Sequence, residues 1–229
     1  EIENIEVIIT AVMGLIPAFD VLIVDDNSPD QTAQKVIELQ AHYPDRLHLV
    51  QREDKSGLGT AYVAGFQWAL QRTYDYIFEM DADFSHNPID LTRLLDACQN
   101  QGADVAIGSR YVTGVNVVNW PLARVLMSYY ASTYVQFITK MGVKDATAGF
   151  MCFKREVLQT IGPEKVQFVG YAFQIEMKYR AFAKGFKIKE VPIIFTDRTK
   201  GQSKMSAAIF KEAFWGVIKL RINKLLNKL

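Results

Sequence analysis

Tyr76-Ile77-Phe78-Glu79-Met80-Asp81-Ala82-Asp83-Phe84-Ser85-His86-Asn87-Pro88 is the stretch on which the fold turns. Its apolar start reads as a buried strand, and its end delivers two carboxylates into a polar turn closed by Pro88. Side chains at i and i+2 of a strand share a face, so Asp81 and Asp83 converge where the strand ends. Hard divalent ions prefer carboxylate oxygens, keep several waters and bridge to phosphates. The pair is therefore a candidate Mg2+ or Mn2+ site for a nucleotide diphosphate. Taken alone, an Asp-x-Asp equally suits a solvated turn, and its surroundings decide between the two.

Those surroundings repeat the pattern. The apolar run from Val21 to Val24 ends in Asp25-Asp26-Asn27-Ser28-Pro29-Asp30, and Leu47 to Gln51 is a short strand before Arg52 and Lys55-Ser56-Gly57-Leu58-Gly59. Asp104 to Gly108 delivers Ser109-Arg110-Tyr111. Helical patterns fall between, over Thr32 to Tyr43, from Gly59 to about Arg72, and over Ile89 to Gln101. Alternation at this spacing predicts an α/β domain with a mostly parallel central sheet flanked by helices, because each parallel connection needs a crossover. Such sheets bind ligands beyond the carboxyl ends of their strands, where Asp25, Asp26, Asp81, Asp83 and Arg110 all fall. Independent decorations would scatter, and these do not.

Asp25-Asp26 suits either a ribose or base amine, or the positive end of the next helix. Gly57-Leu58-Gly59 after Arg52 and Lys55 is a candidate phosphate cradle at a helix start. Tyr62 stands where the third glycine of Gly-x-Gly-x-x-Gly belongs, and no P-loop is present, which disfavours nicotinamide and P-loop enzymes. His86, beside a proline, reads as a turn residue without a catalytic task.

Outside this alternating block, Glu1 to Met13 reads as a helix ended by Pro17. Leu122 to Lys140 is a long aromatic helix with Arg124 and Ser128 on one face. Asp145 to Phe150 turns into a short strand, and Gly170 to Glu176 opens a helix whose Gln174 and Glu176 either face the cleft or cap the helix. Lys187 to Phe195 is a strand that Pro192 assigns to an edge, and Thr196 to Ser203, with Arg198, is a polar loop. From Ser206 the chain is helical, with Phe214, Ile218, Ile222, Leu225 and Leu229 on one stripe and Lys219, Asn223 and Asn227 opposite. A basic amphipathic helix of this kind suits either a core or the surface of an anionic membrane.

With 49% apolar residues in 229, the chain can bury a real core as one domain. Cys98 and Cys152 are the two cysteines, and with three histidines they imply neither a zinc cluster nor a disulfide scaffold, so a reducing interior is the expectation. No charge-free apolar run reaches about 18 residues, so this chain is not expected to span a bilayer by itself. Seven of the 26 Lys and Arg lie from Lys200 onward, where Glu212 is the sole acid. Nucleic acid is not expected as a partner.

Six ordered stretches carry a resemblance: Asp25-Asp26-Asn27-Ser28-Pro29-Asp30; Arg52-x-x-Lys55-x-Gly57-Leu58-Gly59; Met80-Asp81-Ala82-Asp83; Gly108-Ser109-Arg110-Tyr111; Thr147-Ala148-Gly149-Phe150; and Gly170-Tyr171-x-Phe173-Gln174-x-Glu176. The chain resembles, over nearly its whole length, the polyprenol (dolichyl) phosphate mannosyltransferases, a branch of the inverting family 2 glycosyltransferases with the GT-A fold. The resemblance implies transfer of mannose from GDP-mannose to a polyprenyl or dolichyl phosphate, with Mg2+ or Mn2+ on the diphosphate, by an enzyme peripheral to the cytoplasmic face of a membrane. It implies Asp26 and Lys55 on the donor nucleotide, and Asp81, Ala82 and Asp83 around diphosphate and metal. Ser85 stands where some relatives place a glutamine ligand, so water intervenes if it serves the metal at all. Arg110, Arg124 and Ser128 match phosphate-holding positions, the last two for the acceptor, and Arg198 matches an arginine of a mobile acceptor loop. Asp83, Arg110, Arg124 and Arg198 are the catalytic candidates.

Two departures stand out. The family's opening strand is missing except for Glu1 as its last residue, and with no initiator Met the sequence reads as starting late. Gln31 replaces the glycine of Asp-Gly-Thr. The expected layout is a catalytic domain over 1–203 followed by C-terminal amphipathic, membrane-interfacial helices over 204–229. Rival readings are a polyprenyl-phosphate transferase using a UDP-sugar on the same scaffold, and a binding protein without turnover.

Overall fold

A computed structural model describes residues 1–170, 172–197 and 207–226, with side chains from 214 onward in the last segment. Arg198, the remainder of its loop and the expected 203/204 boundary lie outside the described residues.

The chain opens with α1 (Ile2–Met13), β1 (Val21–Asp25), α2 (Thr32–Gln40), β2 (Leu47–Gln51), α3 (Leu58–Leu70), β3 (Tyr76–Glu79), α4 (Asp90–Gln99) and β4 (Val105–Ser109). It continues with β5 (Val117–Val118), α5 (Leu122–Thr139), β6 (Met151–Lys154), α6 (Arg155–Ile161), α7 (Ala172–Ala183), β7 (Ile188–Pro192), β8 (Phe195–Thr196) and α8 (Ala207–Leu225). In α1, Ile5, Ile8, Ile9 and Val12 are buried at the 3,1,3 spacing that lines one helix face. The first strand pair, β1 and β2, is parallel and in register from Val21 against Leu47 to Asp25 against Gln51.

The four-stranded sheet has the order β3-β6-β4-β7, with β4 parallel to β7 and β6 antiparallel to both β3 and β4. The parallel expectation thus holds for β3, β4 and β7, and β6 breaks it. The reason is where β6 starts. Its lead-in from Asp145 lies at the carboxyl end of β4, so the strand enters from the ligand-binding rim and has to run the other way. β7 takes the edge, as Pro192 requires of a residue with no N–H to donate.

All five residues of β4 are buried. Val105 and Ile107 face a core that includes Phe153, Phe173 and Tyr179, whereas Ala106 faces the opposite cluster around Leu94 and Phe150. Helix cover on both faces explains why this strand is apolar throughout instead of alternating. Gly108 is dictated by packing: a Cβ there would sit 2.8 Å from the Phe150 ring.

Gln31 adopts a left-handed backbone, φ 64°, just before α2, a conformation that glycine takes without strain. For a residue with a Cβ this costs about 1 kcal/mol or more. Asp30 steadies the turn by accepting from both the backbone N–H and the hydroxyl of Thr32.

The end of the chain is a single helix among the described residues, packed on α5 and α7. Val217 and Leu220 enter the main core. The apolar stripe visible in the sequence points the other way: Phe214, Ile222 and Leu225 are exposed, Leu225 by 67%. On α5, Leu122, Leu126, Tyr130 and Phe137 are exposed too, so the two helices present a shared apolar surface. No helix among the described residues is long and apolar enough to cross a membrane.

Candidate active site

The acid pair follows β3, where the chain leaves the sheet and bends. Asp83 is almost buried, and its Oδ1 accepts the Ser85 N–H at 3.0 Å, an Asx-type turn that fixes the carboxylate. Asp81 accepts the Tyr62 hydroxyl at 2.9 Å. Tyr62 is stacked with Phe66 and Phe173, so its hydroxyl comes from a braced ring. Burial and the nearby acids push the Tyr62 pKa well up, which keeps it a proton-bearing donor.

Gly57 and Gly59 do not form an open phosphate cradle. A Cβ on Gly59 would lie 2.7 Å from the Phe173 ring, and its N–H is taken by the Val169 carbonyl at 2.8 Å. These glycines allow α3 to pack against the lead-in to α7, which is what puts Tyr62 over Asp81.

At the end of β4, Arg110 forms a two-pronged pair with Asp145, Nε to Oδ2 at 2.7 Å and Nη2 to Oδ1 at 2.6 Å, and also reaches the Thr147 hydroxyl at 2.8 Å. Burial alone would raise the Asp145 pKa, but Arg110 outweighs it and holds the carboxyl below the ordinary range. The guanidinium lies over Tyr111, Trp120 and Phe195, with centroid distances of 5.2 to 5.6 Å. Asp145, in turn, receives its position from Glu190, which accepts the Asp145 N–H and the Ser109 hydroxyl.

Helix α5 supplies Arg124 and Ser128. Arg124 Nη1 lies 2.8 Å from both carboxylate oxygens of Asp197, and its guanidinium sits 4.1 Å from the Trp120 ring centre. Ser128 accepts the Tyr111 hydroxyl at 2.8 Å. The segments after β4 and at the start of α5 are thereby tied together.

These segments enclose one cavity of about 810 Å3, lined by Asp81, Asp83, Ser85, Arg110, Arg124 and Ser128 and walled by Met127, Tyr130, Tyr134, Phe214 and Trp215. Six residues expected from sequence thus meet in one hollow whose lining combines ionic and aromatic side chains. Asp26 does not line it: Arg52 grips its carboxylate at 2.6 and 2.8 Å. Lys55 is exposed in the loop before α3, and Ala82 packs against the cluster around Ile5 and Ile9. His86 lies in the bend after β3, in keeping with a turn residue, yet it is not exposed. It is buried in the cavity wall against Phe150 and Phe195, and burial lowers its pKa to about 4, so the ring is neutral near pH 7. Glu176 turns away to accept the Gln167 and Phe168 N–H groups and Arg180, whereas Gln174 lines the cavity.

Among the described residues, no group of three or more His, Cys, Asp or Glu side chains is placed to hold a metal. Two carboxylates on the wall of a hollow of this size suit a hard ion that takes its remaining ligands from phosphates and water. The residues that sequence reasoning did not single out are Tyr62, Asp145, Glu79 and Lys178. The last two are buried polar groups, and neither lines the cavity. Burial raises the Glu79 pKa well above the ordinary carboxyl value and lowers that of Lys178 to about 8. The one available signal was a charge inside an apolar run, Glu79 between Phe78 and Met80.

An α/β sheet with paired aspartates at the end of one strand and a cavity beyond its carboxyl rim is the architecture of a nucleotide-sugar transferase. Residues 1–162 match Glycosyl transferase family 2, and the chain belongs to that family. It is 48% identical over 222 residues to the polyprenol monophosphomannose synthase of Mycolicibacterium smegmatis, covering 95% of this chain and 83% of that protein. It is 41% identical over 222 residues to the undecaprenyl-phosphate mannosyltransferase of Micrococcus luteus, covering 95% and 90%. Among solved structures, glucosyl-3-phosphoglycerate synthase from Mycobacterium tuberculosis in complex with UDP superposes with a TM-score of 0.67 at 15% identity, over 96% of this chain and 75% of that one. The same enzyme with Mn2+, UDP and glucosyl-3-phosphoglycerate gives 0.62 at 16%, over 100% and 76%. At such identities the likeness is one of fold.

Proposed function

We propose that this chain transfers mannose from GDP-mannose to a polyprenyl phosphate, releasing GDP and inverting the anomeric centre. The observation that carries the reading is the make-up of the cavity lining: Asp81 and Asp83 from the turn after β3, Arg124 and Ser128 from α5, and apolar and aromatic side chains of α5 and α8. A sugar diphosphate, a phosphate and a hydrocarbon each match one of these surfaces. Two relatives named for mannosyl transfer to prenyl phosphates, similar over 95% of this chain, support the same choice.

In the proposed step, an acceptor phosphate oxygen attacks the anomeric carbon in line with the departing GDP. The new carbon–oxygen bond forms as the bond to the diphosphate breaks, and the electron pair leaves with GDP. A phosphate is already anionic, so no strong base is required, and the neutral His86 is not asked to be one. Arg124 and Ser128 orient the acceptor phosphate, and displacing Asp197 from Arg124 is part of its entry. Arg110, held in place by Asp145, is assigned to the leaving diphosphate. When bound with the donor, Mg2+ or Mn2+ supplies further charge to the diphosphate, and Asp81 and Asp83 would hold it. Asp26 and Lys55, near the end of β1 and the start of α3, are assigned to the nucleoside side, and Arg198 to the acceptor.

The exposed apolar residues of α5 and α8, with Lys219 and Arg221 on the latter, support seating on an anionic membrane where a prenyl phosphate resides. We assign this to the cytoplasmic face, in keeping with two free buried cysteines. The test is a radiolabel assay with a short-chain prenyl phosphate, GDP-mannose against UDP-glucose, with and without Mn2+ and anionic vesicles. The expected outcome is metal-dependent product from GDP-mannose. Product from UDP-glucose alone would overturn the donor, and nucleotide binding without turnover would make the chain a binding protein.

A further inference from the structure

Asp81 and Asp83 are fixed by different means. Asp83 is held inside its own turn, by the Ser85 N–H two residues on. Asp81 lies past Glu79, where the β3–β6 ladder has ended, and the contact that reaches it comes from elsewhere in the chain: the Tyr62 hydroxyl, 19 residues upstream, donates to its Oδ1 at 2.9 Å. A carboxylate offers acceptors only and a phenol has a single O–H to give, so this bond sets the turn of the Asp81 carboxylate about its own stem.

The ring behind that hydroxyl has little freedom. It lies nearly parallel to Phe173, at 9° and 6.0 Å between centroids, and is stacked with Phe66 at 6.3 Å. Phe66 and Phe173 are both buried in the main core. The stack depends on two glycines. A Cβ on Gly59 would lie 2.7 Å from the Phe173 ring and 2.9 Å from the Phe168 carbonyl oxygen. Gly57, at φ +103°, takes a backbone that residues with a Cβ rarely adopt, and a Cβ there would lie 3.1 Å from the Val169 carbonyl oxygen. The start of α3 therefore packs directly on the chain ahead of α7, and Tyr62, three residues past Gly59, meets Phe173.

We infer that Tyr62 is a positioning residue for Asp81, holding its carboxylate in the orientation in which it takes a divalent cation, and that Gly57-Leu58-Gly59 serves the site through Tyr62 instead of cradling phosphate. Carboxylates that ligate a metal are themselves hydrogen-bonded, and the partner fixes how the oxygens face the ion. A braced ring suits that task, because a hard ion that keeps several waters gains from each protein ligand set in place beforehand. The inference rests on the assignment of Asp81 and Asp83 to the cation.

The experiment titrates Mn2+ into the chain with GDP and reads free Mn2+ by electron paramagnetic resonance, against GDP without protein. It compares the unaltered chain with Tyr62→Phe, Asp81→Ala and Gly59→Ala, and needs no turnover. Tyr62→Phe removes one oxygen and keeps all three rings, and it should raise the Mn2+ Kd by about 10- to 100-fold. Its affinity for GDP without metal should stay within about twofold, and turnover lost at low Mn2+ should return as Mn2+ is raised. A Mn2+ Kd in Tyr62→Phe within about threefold of the unaltered chain, with Asp81→Ala weakened, would overturn the inference and leave the hydroxyl a satisfied core group. So would a metal-free GDP affinity that falls as far as the Mn2+ affinity, the mark of a general loss of structure. If Asp81→Ala keeps the unaltered Kd, the cation assignment fails and the inference with it. Where Tyr62→Phe does not fold, Gly59→Ala, whose Cβ pushes the Phe173 ring aside, decides by the same Kd. Should the chain bind UDP and not GDP, the donor assignment fails while the titration with UDP still tests Tyr62.

Discussion

The Arg110 guanidinium and the Asp145 carboxylate meet through two hydrogen bonds of 2.6 and 2.7 Å inside the protein, so the strand-end arginine is anchored before any ligand arrives. Asp145 comes from the loop that leads into β6, 35 residues further along the chain. Removing one member of a buried pair strands the other charge, typically for about 3–5 kcal/mol. Asp145→Ala should lower the unfolding free energy by about that much in urea titrations, and Arg110→Lys, which loses the two-pronged geometry, should lower kcat more than it changes donor KM.

Asp83 is held by the Ser85 N–H and lies on the cavity wall, but it carries no part of the apolar core. Asp83→Ala should reduce metal-dependent turnover by on the order of 10²- to 10³-fold or more. Its melting temperature without ligands should stay close to that of the unaltered chain. The added stabilisation by Mn2+ with GDP, present in the unaltered chain, should disappear, as a thermal-shift titration would read directly.

Arg124 is partly exposed and paired with Asp197, which marks it for exchange with an incoming anion. Arg124→Ala should raise acceptor KM by about 10-fold or more, the worth of a charge-assisted hydrogen bond, with donor KM changed by less than about threefold. A rise in donor KM instead would move Arg124 to the leaving diphosphate.

Lys178 titrates near 8 in the folded chain, because burial disfavours its charge more than Glu79 restores it, against 10.5 for an unburied lysine. Between those values the unfolded chain holds more protons, so this group makes stability rise with pH from about 8 to 10.5. At roughly 1.4 kcal/mol per unit the gain is roughly 3 kcal/mol. The stability difference between the unaltered chain and Lys178→Met, followed by urea unfolding across that range, should shift toward the unaltered chain by this amount.

What the sequence reveals here is the framework. Strand ends at Asp25, Glu79 and Ser109 follow from apolar runs closed by polar turns, and one hollow at the sheet rim follows from their number. Side-chain partners are another matter. Asp145 lies in an irregular stretch whose direction only the sheet pairing sets, and nothing local marks it as the counterion of Arg110. Asp26 looks like a free strand-end acid until the β1–β2 register brings Arg52 across to it. The stripe of Phe214, Ile222 and Leu225 reads equally as core or surface, since periodicity gives a face without saying what it meets. Val217 and Leu220, between those positions, are the ones that reach the core.

Tyr134 of α5 stacks on Phe214 of α8 at 4.9 Å and donates its hydroxyl to the Phe214 carbonyl. The last helix is thereby coupled, like one arm of a lever, to the helix that carries Arg124 and Ser128. A displacement of either helix would therefore be felt by the other through this seam of ring and carbonyl.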